Sequence, residues 1–394
     1  MQPLAGRRIW FVGIGGAGLS SYAFLARAWG AEVGGWDRNE TPYLHLLDGV
    51  RVELGGEPAA PPGWEIVISS AYAGQVEGRT RAELLTELVS LARSIVVAGA
   101  HGKTTTTAMV AFVLREVGND PSWLIGGEIP QLGGNAGAGS GWLVVEGDES
   151  DRTVESLRPE IGVVTNVELD HHATFGSEAE VRALFEVWLA EVPSPVRGWE
   201  FEPVDTGELP LLRGAHNRLN AAAALAALEL AGIPRTDALP ALARFQGAGR
   251  RLERKGEFGG VAVYDDYGHH PTEVAATIAA AREGLEGRLL VAFQPHLYSR
   301  TRHLAREFGA ALAAADAVCV TEIYGAREQP VEGVSGKLVV DAVAEARPGL
   351  RLAWTPALED AAKVLRDWAE PGDVIVTMGA GDVDRVAALL LERR

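Results

Sequence analysis

The stretch VVAGAHGKTTTTAMV, Val96 to Val110, decides the fold. An apolar run ends at a glycine-bearing loop, and an apolar-periodic helix follows it. Strand, glycine loop and helix in that order form a phosphate grip, because backbone N–H groups at a helix N-terminus favour negative charge. The common phosphate loop is G-x-x-x-x-G-K-[ST]. Here Val97 stands five positions before Gly102. The nearest upstream glycine is Gly99, so the loop is shorter. Gly102 lets the turn approach a phosphate, Lys103 can lie over the β- and γ-phosphates, and Thr104 can ligate Mg²⁺. Four threonines in series are poor helix formers, which argues against a purely structural role.

Outward from this loop, short apolar runs alternate with helical patterns along most of the 394 residues. That alternation predicts an α/β fold with largely parallel sheets. The length suits two or three domains. Boundaries fall near Ser94, where SIVVAG opens a new strand, and in the Gly- and Arg-rich segment FQGAGRRLERKGEFGG, which reads as a linker. The expected domains are therefore 1–94, 95–247 and 248–394. Residues 177–214 are proline-rich, and no element is assigned there. The net charge of −17 argues against a nucleic-acid or membrane-surface binder. An anionic ligand then needs a locally built site. The single cysteine, Cys319, reads as a buried strand residue. The N-terminus shows no signal-peptide layout and no apolar run spans a bilayer, so the cytoplasm is expected.

Other motifs sit where strands meet helices. GIGGAG, Gly13 to Gly18, follows a strand and opens a helix, with Asp37 after the next strand. The pattern fits a pyrophosphate site with Asp37 on a ribose hydroxyl, as in an NAD-dependent oxidoreductase; it equally fits tight helix–strand packing. VVEGDESD offers Glu146, Asp148, Glu149 and Asp151 as Mg²⁺ ligands, of which most read as a solvated loop. TNVELDHH offers Asp170, His171 and His172. His171 reads equally as a metal ligand or as a hydrogen-bonded loop histidine. YDDYGHHPTE and FQPHLYSRTRH place His269, His270, His296, Tyr298, Arg300 and Arg302 after strands, where α/β sites form. Arginine suits carboxylate and phosphate because its fork is bidentate and always charged.

Taken together, FVGIGGAGLS, VAGAHGKTTTT, EGDESD, VTNVELDHH, GAHNRLNAAAA, FQGAGRRLE, DDYGHHPTE, FQPHLYSRT and MGAGD resemble, in order, the Mur ligases of bacterial cell-wall synthesis. The short G-x-x-G-K-T loop is that family's own form. The resemblance implies a Rossmann-like first domain for the UDP part of a substrate. It also implies a central ATPase-type α/β domain, here shortened, and a Rossmann-like third domain that closes with the amino acid. The resemblance implies ATP-dependent addition of L-alanine to UDP-N-acetylmuramate through an acyl phosphate, with the GIGGAG start favouring the alanine-adding members over those that recycle murein tripeptide.

By the same resemblance, Gly99, Ala100, His101, Gly102, Lys103, Thr104, Thr105, Asn217, Asn220, Arg251 and Asp265 would contact ATP. Thr104 and Glu146 would hold one Mg²⁺ and His171 a second. Lys103, Glu146, His171, His296 and Arg300 would serve catalysis, with His296 and Arg300 on a carboxylate or the acyl phosphate. Gly13, Gly15, Gly16, Ala17, Gly18, Asp37, Ser69 and Ser70 would hold the UDP substrate. A monomer or weak homodimer is expected. Three residues depart from the family pattern: Ala100 where threonine is usual, Ala173 where aspartate is common, and Leu297 where arginine is frequent. The chain between His172 and His216 is also shorter than usual. A shortened centre leaves a second reading open, a nucleotide-binding relative without ligase activity.

Overall fold

The apolar runs become strands because a parallel strand covered on both faces must be apolar at every position. Ser94–Ala98, ahead of the glycine loop, is buried at all five residues. The computed structural model describes residues 2–170, 174–209, 212–326 and 328–392, and these form three sheets. The first is wholly parallel, in the order Arg51–Leu54, Glu32–Asp37, Arg8–Val12, Glu65–Ile68, Arg79–Thr80. Chain direction across it reverses between Arg8–Val12 and Glu65–Ile68. GIGGAG therefore leaves one strand at this switch point and Ser69 leaves the other, the crevice where open α/β sheets bind ligands.

The second sheet runs Ser194–Arg197, Ile161–Val164, Ser94–Ala98, Leu143–Glu146, Ser122–Leu124, Ala136–Gly137. Only its last pair is antiparallel. The third runs Glu253–Phe258, Val261–Asp266, Val374–Met378, Leu289–Phe293, Ala317–Val320, Arg351–Trp354, with its first pair antiparallel. By contacts the chain forms two compact units. Residues 1–211 and 219–246 make one; residues 212–218 and 247–394 make the other. The first two sheets lie in the first unit and share a core that joins Ile9 and Phe11 to Val96, Leu143 and Phe185. Cys319 is fully buried in its strand, and burial pushes its thiol up to about 11.

Two segments correct the sequence reading. Residues 177–214 are not featureless: Glu178–Ala190 is a helix, capped by the Ser177 hydroxyl accepting from the Glu180 N–H. It buries Val181, Leu184, Phe185, Trp188 and Leu189, a stripe at helical spacing. Ser194–Arg197 then pairs as the sheet's edge strand, where Pro195 is tolerated because an edge need not donate every N–H. Within the supposed linker, Glu253–Phe258 is also an edge strand, with a bulge between Arg254 and Gly256. Its charged side chains suit an exposed edge, which they protect from further pairing.

Candidate active site

The glycine loop is shaped by the strand beside it. Gly99 and Gly102 both take positive φ, at 126° and 80°. A Cβ at Gly102 would collide with Asn220 Oδ1. The Asn166 side chain accepts from the His101 N–H at 2.9 Å and donates to the His101 carbonyl at 2.8 Å. The Thr165 hydroxyl donates to the same carbonyl at 2.6 Å. The VTN run thus moulds the loop, a role that its sequence position did not advertise. Ala100 is buried, and its N–H donates to the Asn166 carbonyl. His101 Nε2 lies 3.0 Å from Glu168 Oε2.

Lys103 begins the helix Lys103–Glu116. Its ammonium donates to the Gly99 carbonyl at 2.6 Å and to both oxygens of Glu149, at 3.0 and 2.9 Å. Burial works against that charge, but Glu149, Asp148 and Glu146 outweigh it and raise the pKa above the ordinary lysine value. Glu149 is 2% exposed. This corrects its reading as part of a solvated loop: it is the counter-ion that parks Lys103. Thr104 Oγ1 donates to Glu146 Oε2 at 3.2 Å, and Glu146 Oε1 accepts from the Gly126 N–H at 2.6 Å. A hydroxyl and a carboxylate oxygen side by side are the hard donors that Mg²⁺ takes. Thr105 is buried, so its side chain belongs to the interior. Asn220 is buried beside Gly102, whereas Asn217, one turn earlier on the helix Ala215–Leu230, donates to the Arg213 carbonyl at 2.9 Å. His171 lies outside the described residues.

The first sheet's loop is equally tight. A Cβ at Gly13 would lie 2.8 Å from the Ser69 Cβ, so these two loops touch. Asp37 Oδ2 accepts from the Gly15 N–H at 2.7 Å, and Asp37 is 8% exposed. Asp37, expected at a ribose hydroxyl, thus also braces the glycine loop through Oδ2. Ser69 caps a short 3₁₀ turn that begins at Ser70. Ala17 and Gly18 start the helix Ala17–Ala28. A cleft of about 180 Å³ within this unit is lined by Gly18, Tyr22, Arg81, Lys103, Glu146 and Asp148. Gly18 at the end of the first loop and Lys103 just after the second therefore face one space.

In the second unit, Asp265 is fully buried. It accepts from Arg250 Nε at 2.7 Å and from Thr377 Oγ1 at 2.6 Å. Burial pushes its pKa up, against the pull of Arg250. Asp265, expected at ATP, anchors Arg250, which also donates to the carbonyls of Gly381 and Gly379. Arg251 lies over the Tyr267 ring at 5.3 Å and 3.9 Å from Glu273. His296 Nδ1 and Arg300 Nη1 are 3.4 Å apart, and His296 stacks on Tyr324 at 5.9 Å. Leu297 between them has φ of +70°, a strained conformation for a leucine. Tyr324 and Arg250 are the members of this set that sequence reasoning missed.

A short phosphate loop whose lysine faces a carboxylate-lined cleft, on the second of three α/β sheets, defines a nucleotide-binding enzyme class. Residues 97–186 match the Mur ligase middle domain, and residues 250–381 match the Mur ligase glutamate ligase domain. The chain belongs to the Mur ligase family. It is 39% identical to the UDP-N-acetylmuramate–L-alanine ligase of Rubrobacter xylanophilus, over 98% of this chain and 100% of that one. It is also 39% identical to the enzyme of that name from Renibacterium salmoninarum, over 98% and 95% of the two chains. Among solved structures it resembles the UDP-N-acetylmuramate–alanine ligase MurC of Thermotoga maritima, with a TM-score of 0.78, 25% identity and 98% of both chains covered. The Rubrobacter alignment extends over 445 positions, against 394 residues here, so this chain is the shorter version.

Proposed function

We infer that this chain is an ATP-dependent amide-forming ligase that joins L-alanine to UDP-N-acetylmuramate, a step in peptidoglycan precursor synthesis. The single observation that carries the reading is the Lys103–Thr104–Glu146 constellation, set in a chain similar over its whole length to enzymes of that name. A carboxylate is a poor acyl donor. Transfer of the γ-phosphoryl group of ATP to the muramoyl carboxylate gives an acyl phosphate and ADP. The alanine amine then attacks the acyl carbon, and the tetrahedral intermediate expels phosphate to leave the amide. Both steps crowd negative charge around one centre, so positioning and cationic groups dominate catalysis.

In this scheme residues 95–247 bind ATP, residues 1–94 the UDP part of the acceptor, and residues 248–394 the amino acid. Lys103 exchanges Glu149 for phosphate oxygens, since both are anions at the same ammonium. The backbone of Gly99 to Gly102 cradles the phosphates, and Asn220 holds the loop in shape for them. Thr104 and Glu146 would hold Mg²⁺, which supplies charge neutralisation between phosphate oxygens when bound. His296 and Arg300 offer a cationic fork for a carboxylate or for the acyl phosphate, and Arg251 a further cation beside Tyr267. The loop Gly13 to Gly18, with Ser69 and Ser70, takes the diphosphate. ATP, UDP-N-acetylmuramate and L-alanine are water-soluble metabolites, which supports work in the cytoplasm; among the described residues no helix is long and apolar enough to cross a membrane.

The test is phosphate release that requires both UDP-N-acetylmuramate and L-alanine. Equal release with neither present would sink the reading. Lys103→Ala should lower kcat/KM by roughly 100- to 1,000-fold, and it should also lower the melting temperature, because Glu149 is left buried without its counter-ion. Unchanged turnover would reject the role of Lys103.

A further inference from the structure

Arg81 stands where a cation gains least from the fold. It is the first residue of the helix Arg81–Leu91, whose N-terminus is closed by a capping box between Thr80 and Glu83. Its guanidinium also lies against the first turn of another helix, Ala17–Ala28: a Cβ at Gly18 would be 3.3 Å from Arg81 Nη1. Helix N-termini carry partial positive charge and favour anions. Two such ends and a guanidinium therefore converge on one wall of the cleft.

Among the described residues no carboxylate balances them by direct contact. The Arg81 side chain makes no hydrogen bond, ion pair or ring contact with those residues, although Arg79 and Arg7 are engaged. Arg79 pairs with Glu87 at 2.7 Å, and Arg7 binds Glu65 with Nε at 2.8 Å. Beside the first turn of Ala17–Ala28, a further polar atom is left without a partner among the described residues. Asn135 is 6% exposed; its Nδ2 donates to the Ala17 carbonyl at 3.3 Å, and its Oδ1 has no partner. A buried acceptor left open costs stability unless a ligand donor supplies the bond.

Lys103 and Glu146 line the same cleft as Arg81. An anion between Arg81 and Lys103 is thus held beside the site of phosphoryl transfer. We propose that Arg81 binds the carboxylate of the sugar-nucleotide substrate and aims it at the transferring phosphate, the guanidinium fork meeting the two carboxylate oxygens. This rests on the ligase reading above. It assigns Arg81 to the reacting acid and not to the diphosphate, which has the Gly13–Gly18 loop.

The experiment compares wild type with Arg81→Gln and Arg81→Lys. It measures steady-state kinetics, calorimetric binding of UDP-N-acetylmuramate, of UDP-N-acetylglucosamine (which keeps the diphosphate and lacks the carboxylate) and of an ATP analogue, and melting temperature. Arg81→Gln should lower kcat/KM for UDP-N-acetylmuramate by about 10- to 100-fold. It should leave UDP-N-acetylglucosamine affinity, ATP-analogue affinity and melting temperature as in wild type. Arg81→Lys should recover part of the loss, because charge returns without the fork. Unchanged kinetics, or equal weakening toward both sugar nucleotides, would overturn the assignment while the ligase reading stands. Wild-type protein that fails to bind UDP-N-acetylmuramate would refute the ligase reading and the carboxylate role together.

Discussion

Gly102 explains why the loop at the centre of this protein tolerates so little change. Its φ of 80° suits glycine, and Asn220 occupies the space a side chain would need. Gly102→Ala should cost about 1–2 kcal/mol from backbone strain alone. The collision with Asn220 adds to that, and ATP-analogue binding should weaken. Calorimetry alongside a denaturant melt would check both, and wild-type affinity in the variant would count against this account of the loop. The glycine was legible from sequence because the spacing of Gly102, Lys103 and Thr104 is local. Glu149 was not. Four acidic residues between 146 and 151 look alike on paper, and the packing around Lys103 selects Glu149 for burial. Asp37 and Asp265 teach the converse. Each was visible as a candidate, and the structure adds what no local pattern shows, that each carboxylate also accepts from the protein's own donors.

At the scale of elements, the helix Glu178–Ala190 carries the clearest lesson. Its stripe from Val181 to Leu189 has helical spacing, but the prolines just beyond it drew attention away. Trp188 is 1% exposed; its indole N–H donates to the Leu157 carbonyl at 2.9 Å, and its ring lies over Gly162. Trp188→Ala should destabilise the first unit by about 3–5 kcal/mol, because an indole-sized cavity opens beneath a parallel strand. A chemical denaturation curve checks it, and a loss below about 1 kcal/mol would show that the site collapses around the gap. The edge strand Glu253–Phe258 was hidden for another reason. Edge strands are allowed to be charged, and a charged Gly-bearing run reads as a linker until its partner strand is known.

At the scale of the whole molecule, two nucleotide-type glycine loops raise the question of which cofactor the chain takes. A ligand that binds only the native state stabilises it by about 2.7 kcal/mol at 100 times its Kd. A nonhydrolysable ATP analogue with Mg²⁺ should therefore raise the melting temperature. Lys103→Ala should reduce that rise, and NAD should produce none; a rise with NAD alone would revive the oxidoreductase reading of GIGGAG. Sequence by itself determined the α/β alternation, the glycine loops at strand ends and the family, because periodicity and loop chemistry are written in neighbouring residues. Only the tertiary structure decided that Lys103 rests on Glu149, 46 residues away, that Asp265 anchors Arg250, and that Arg81 lines the same cleft as Lys103. Strand order and side-chain burial set those pairings. They join residues far apart in the chain, and no local pattern encodes which of several carboxylates a given cation will meet.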